Sequence, residues 1–198
     1  MKRLAICVAA AALVAGCASN TGQSTEPTGA AAVDPNNPLF APGYMAMAAS
    51  SDQFEIQSGQ LALQMSQNPS IRAFAQQLIT DHTRTTQLLM AAAQQAGLTP
   101  PPPMLLPEDQ ALLDQIRSAP AGSFDVAFRD VQATAHQKAL ALHQNYAASG
   151  DVPALRTVAA GAVPVIQGHL SHAQTLSVAS TPAPMPMPAA TAQPGERG

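Results

Sequence analysis

The chain has 198 residues, with 9 Lys/Arg against 12 Asp/Glu, five Phe, two Tyr and no Trp. Charged residues make up only 11%, with no basic patch, which argues against a nucleic-acid partner. The scarcity of aromatics argues equally against stacking platforms for bases or sugars.

The first residues carry location. Lys2 and Arg3 precede an apolar run from Leu4 to Ala15, too short to span a bilayer. Val14-Ala15-Gly16-Cys17 follows, and the segment 1–16 reads as a secretory signal peptide. Its ending resembles a bacterial lipobox, which implies a diacylglyceryl thioether on Cys17 and cleavage before it. Ala18 in place of Asp implies retention at the outer membrane, so the expected partner is that membrane, reached through a lipid anchor. A plain signal peptide cut near Ala18-Ser19 is the alternative. The other cysteine, Cys7, lies inside the signal, so the mature chain would have neither a disulfide nor a cysteine metal site. Seven basic residues then face twelve acidic ones, a net of −5.

Residues 17–43 are rich in Ser, Thr, Gly, Asn and Pro and read as a disordered tether. About 25 flexible residues reach on the order of 25–30 Å. At the other end, residues 180–198 contain "STPAPMPMPAATAQPGERG", a Pro-rich tail that excludes helix. Between them, residues 44–179 suffice for one domain.

That domain reads as all-α. A first long helix is expected over Tyr44–Gln67, with Met47, Phe54, Leu61 and Met65 inward. Asn68-Pro69-Ser70 breaks it, and Pro69 suits the first turn of a second helix reaching Ala96, with Gly97 as its stop. "LTPPPPMLLP" (98–107) must be extended, and a short helix fits Glu108–Arg117. The third long helix covers Phe124–Ala148. The fourth covers Val152 to about Ala179, capped by Asp151, kinked at Pro164, with Leu155, Ala162, His169 and Leu176 seven apart. Four such helices make a four-helix bundle. The connection 98–123 is long enough to run the length of a 28-residue helix, about 42 Å. It therefore permits the ferritin-like arrangement, with the second and third long helices parallel. An up-down-up-down bundle with a decorated loop also fits.

The stretches "FEIQSGQLALQMSQNPSIRAFAQQLITDHTRTTQLL", "FDVAFRDVQATAHQKALAL" and "VPVIQGHLSHAQTL" resemble the bacterial family called domain of unknown function 4142. The resemblance covers about Met45 to Ser177 and joins Glu55, Asp81-His82, Phe124-Asp125, His136, Pro164 and His169 in order. It implies an exported, outer-membrane protein with a ferritin-like bundle, and no established activity. His143 and His172 depart from the pattern.

The helix registers carry the chemistry. Glu55 and His82 each lie 13 residues from the first hairpin turn, and His136 lies at a similar depth if the crossover is long. His169 falls about 10 residues short of its helix end. At 1.5 Å per residue the four agree within about one turn. His82 should point inward, with Asp81 at its flank. Two readings follow. In one, Glu55, His82, His136 and His169 form a polar core layer that fixes register, with His82 bonded to Glu55. In the other they hold one divalent ion, zinc, copper or nickel. Asp81, Asp125 and His172 flank this layer, while His143 and His172 should be surface or half-buried. A di-iron oxidase would need Glu-x-x-His on two helices, and Ile79 and Ile166 stand three before His82 and His169. No phosphate loop or nucleophile elbow is present. The sequence thus favours a non-enzymatic envelope lipoprotein acting by interaction or in stress tolerance. A periplasmic metal-binding bundle is the alternative, and a metal-dependent oxidase comes last. The protein partner is not encoded in any motif.

Overall fold

The computed structural model describes residues 36–178 except 103. The expected signal peptide, Cys17, most of the tether and the Pro-rich tail lie outside the described residues. Among these residues there are five α-helices and no strand: α1 Ala41–Met65, α2 Pro69–Gln95, α3 Pro107–Arg117, α4 Phe124–Ser149 and α5 Pro153–Thr175.

Local chemistry sets the ends. α1 begins three residues before the expected Tyr44 because Pro42 occupies the first turn, where its missing N–H costs no hydrogen bond. Asn68 caps α2, its side chain accepting from the Ser70 N–H at 2.9 Å, with Pro69 following. Gly97 closes α2 with φ 71°, and the Leu98 N–H returns to the Ala93 carbonyl. Asp151 does not cap α5. Val152 holds the cap position with extended backbone, and the Asp151 carboxylate accepts from the Tyr146 hydroxyl at 2.9 Å instead. α5 ends at Thr175, short of Ala179, and runs through Pro164, which lies on its exposed face.

Two apolar clusters show how the long helices run. One joins Ala62 near the end of α1, Ile71 and Phe74 near the start of α2, Phe124 and Phe128 at the start of α4, and Ala173 near the end of α5. The other joins Tyr44 at the start of α1, Leu89 and Ala93 near the end of α2, Tyr146 near the end of α4, and Leu155 at the start of α5. So α2 and α4 start at the same end and run parallel, as the ferritin-like topology requires. The crossover leaves α2 at the second cluster, where Leu98 packs, and reaches the first, where Leu113 and Ile116 of α3 are buried. α3 lies across α1 and α4. Its start is tied down by a Lys138–Glu108 ion pair at 2.7 Å and a Ser50–Asp109 hydrogen bond.

The inward face of α1 differs from expectation. Phe54 is buried, but Met47 and Leu61 are only half-buried and Met65 is 48% exposed. Apart from Tyr44, Met45 and Phe54, the buried positions are small or polar, among them Ala48, Ser50, Asp52, Glu55, Ser58, Gly59 and Ala62. Small residues let α1 approach α2 closely: a Cβ on Gly59 would sit 2.9 Å from the Ala75 carbonyl oxygen. No described helix is long and apolar enough to cross a membrane.

Candidate metal centre

Between the two apolar clusters lies a polar layer drawn from all four long helices. α1 contributes Glu55, α2 His82, α4 His136 and α5 His169, each at most 3% exposed. One ligand nitrogen from each of the three histidines lies within 4.8 Å of the others. Their ring centroids are 5.3–5.7 Å apart. The Glu55 carboxylate reaches in from α1, with Oε1 3.4 Å from His136 Nδ1.

Each imidazole is held from behind. His82 Nδ1 faces Asp52 Oδ1 at 2.8 Å. Asp52 is itself fixed by hydroxyls, Thr85 donating to Oδ1 and Thr86 to Oδ2. His136 Nδ1 lies 2.9 Å from the Gln132 carbonyl oxygen. His169 Nε2 lies 2.9 Å from Asp81 Oδ2. In every case an oxygen acceptor takes one ring N–H, which fixes the tautomer and leaves the other nitrogen bare.

Those other nitrogens accept no hydrogen bond from the described residues. His82 Nε2, His136 Nε2, His169 Nδ1 and both Glu55 oxygens are buried without a hydrogen bond, as is Gln132 Oε1. Buried polar atoms are nearly always satisfied, and each orphan costs roughly 1–3 kcal/mol. Here the orphans come from side chains that meet in one layer and carry lone pairs suited to a cation.

The charge balance follows from burial. Desolvation pushes the Glu55 carboxyl up to about 8, opposed by the His82 charge and the Gln132 side chain. Desolvation, aided by the His82 charge, holds His136 down at about 3. Burial likewise lowers His169, although its bond to Asp81 opposes the shift. Burial also works against a charged His82, but Asp52 and the carboxylates of Glu55 and Asp81 outweigh it and raise its pKa.

His82 does not bond Glu55. The Glu55 carboxylate lies beside His136, and Asp52, one turn earlier on α1, reaches the back of the His82 imidazole. His143 is buried, 7% exposed, rather than near the surface. Tyr44 covers it, with its hydroxyl 3.1 Å from Nδ1, two turns of α4 away from His136. Of the residues expected to flank the layer, Asp81 touches it through His169. His172 is half-buried with its ring 4.6 Å from that of Phe74. Asp125 is half-buried in the first turn of α4, roughly 16 Å of helix from His136. Neither joins the three histidines. Sequence reasoning missed Asp52 and Gln132. An acid three residues before Glu55 was the available signal for the first; the second was lost among many surface glutamines.

The profile of the family described as domain of unknown function (DUF4142) matches residues 24–176. The chain belongs to this family. No curated protein matches it. Among solved structures, CopM in the Cu(II)-bound form is 19% identical with a TM-score of 0.59, covering 68% of this chain and 93% of that one. CopM in the Ag-bound form, also 19% identical, gives 0.57 with the same coverage. CopM in the apo form, 20% identical, gives 0.56 with the same coverage. At this identity the likeness establishes a common helical fold.

Proposed function

We propose that this family member is an envelope-anchored helical bundle that binds one divalent metal ion at its centre, through His82 Nε2, His136 Nε2, His169 Nδ1 and Glu55. The observation that carries the reading is that the three histidines bring ligand nitrogens within 4.8 Å of one another, each imidazole keeping one buried nitrogen without a hydrogen bond and backed on the other by an oxygen acceptor, with the buried Glu55 carboxylate beside His136. Three imidazoles and a carboxylate are borderline-to-hard donors, suited to Zn(II), Cu(II) or Ni(II). The copper- and silver-bound CopM structures lend support by showing metal on a related fold. A four-ligand site closed by protein suits holding an ion better than turning over a substrate, so the role is metal binding rather than catalysis. Anchoring comes from the Val14-Ala15-Gly16-Cys17 sequence, with Cys17 carrying the lipid and the bundle facing the periplasm.

The test is thermal unfolding of the purified protein, stripped of metal, against added Zn(II), Cu(II) or Ni(II). An ion that binds only the folded state raises Tm with concentration. His82→Ala and His169→Ala should each abolish that rise, and His143→Ala should leave it intact. If none of the three ions moves the wild-type curve, the layer is a register-fixing hydrogen-bond network and the metal reading fails.

A further inference from the structure

We propose that the ion reaches the centre through the open groove between α2 and α5, with the Asp81 carboxylate as its first ligand on the way in. The inference rests on the metal reading above and adds its route.

The two seams between the helical hairpins differ. α3 lies across the α1/α4 seam, and a cavity of about 380 Å³ lined by Met47, Ala135, Ala139 and Leu142, among others, remains under the crossover there. Along the α2/α5 seam a groove of about 470 Å³ remains, lined by Asp81, Arg84 and Thr85 from α2 and by Thr157, Gly161 and Val165 from α5, among others. Gly161 leaves space there, since a Cβ on it would meet nothing within 4 Å.

The groove wall touches the backs of two of the four ligands. Asp81 is 34% exposed while its partner His169 is 2% exposed, so one hydrogen bond joins solvent to the buried layer. Thr85 holds Asp52, which holds His82. A hydrated cation entering the groove meets a carboxylate that is already bonded to a ligand imidazole. Rotation of the His169 ring, with Asp81 exchanging its N–H for the ion, passes the cation inward. No such half-exposed acceptor backs His136, whose partner is a helix carbonyl within α4.

The experiment measures rates of Cu(II) uptake by stopped-flow absorption and of release to a chelator, on the purified full chain stripped of metal. Gly161→Leu fills the groove without touching a ligand. It should slow uptake and release several-fold and equally, leaving the equilibrium rise in Tm unchanged. Asp81→Asn keeps an acceptor for His169 but removes the charge, and uptake should fall by about tenfold. Leu142→Phe, in the cavity under the crossover on the opposite seam, should leave both rates unchanged. If Leu142→Phe slows uptake and Gly161→Leu does not, the ion enters under the crossover and the proposal is overturned. If neither variant changes the rates, entry requires opening of the bundle, and it is overturned as well. Failure of the wild type to bind any ion is a different result, because it removes the metal centre itself.

Discussion

Asp52 and His82 are joined at 2.8 Å across the α1/α2 interface, and Asp52 also accepts from two threonine hydroxyls, Thr85 at Oδ1 and Thr86 at Oδ2. A carboxylate so fixed cannot follow the imidazole, so the imidazole must follow it. The bond therefore sets which nitrogen of His82 faces the centre. Asp52→Ala should weaken metal affinity by about 10- to 100-fold, the usual cost of losing an outer partner of a ligating histidine. Asp52→Asn, which keeps an acceptor, should lose less. Competition titration against a chromophoric chelator measures both, and equal affinity in wild type and Asp52→Ala would show that His82 is oriented by packing alone.

The fold was largely legible because each boundary had a local chemical cause. Pro69, Gly97 and the run 98–107 each act within a few residues. The registers of Glu55, His82, His136 and His169 followed from counting along rigid helices. The missing parts depended on tertiary partners. Much of α1 presents small and polar residues inward, so its hydrophobic spacing pointed to Met47 and Met65, which join neither cluster, and to Leu61, which packs only at the edge of one. His143 looked peripheral until Tyr44, 99 residues away, was seen to cover it. Hydrogen-bond partners across an interface, such as Asp52 for His82, leave no periodic mark in either helix.

His143 makes stability depend on pH. Desolvation lowers its folded pKa to about 4, with the charge of Asp52 opposing and that of His82 assisting, while the unfolded value is near 6.5. Between these values the unfolded chain binds the extra proton, so stability falls as pH drops from about 6.5 to about 4 and levels off below. The loss attributable to this group is at most ~3 kcal/mol. Urea unfolding of metal-free protein at a series of pH values should show it. His143→Gln should flatten the slope in that window, and an unchanged slope would assign the dependence to other groups.

Gly59 and Gly161 should respond oppositely to the same change. Both are helical glycines, where alanine gains roughly 0.5–1 kcal/mol of helix propensity. At Gly161 nothing obstructs the new methyl, so Gly161→Ala should stabilise by about that amount. At Gly59 the methyl would meet the Ala75 carbonyl and Ile79, each at 2.9 Å, and forcing α1 from α2 costs typically 1–3 kcal/mol. Gly59→Ala should therefore be net destabilising. Parallel melts of the two variants decide it, and a stabilised Gly59→Ala would mean the helices part at little cost.

Anchoring is tested in cells. Cys17→Ala should move the protein from the membrane pellet to the soluble periplasmic fraction, since the thioether it removes is the proposed attachment. A wild-type protein already in the soluble fraction, with no acyl mass on its N-terminus, would remove the lipoprotein assignment while leaving the bundle and its centre untouched.

Glu55 should trade stability for binding. In the metal-free bundle its carboxyl is fully buried, neither oxygen has a hydrogen bond from the described residues, and burial has pushed its pKa up to about 8. Such a group lowers stability relative to an apolar side chain of similar volume. Glu55→Met should raise the stability of the metal-free protein by ~1–3 kcal/mol, measured by urea unfolding at pH 7. The same variant deletes the only carboxylate among the four proposed ligands, so the rise of Tm with Zn(II) or Cu(II) should shrink or vanish. A purely structural layer predicts the reverse: Glu55 would be part of the network that holds the helices in register, and replacing it would destabilise the bundle without regard to metal. Gain of metal-free stability together with loss of metal response is the signature of a residue kept for its ligand.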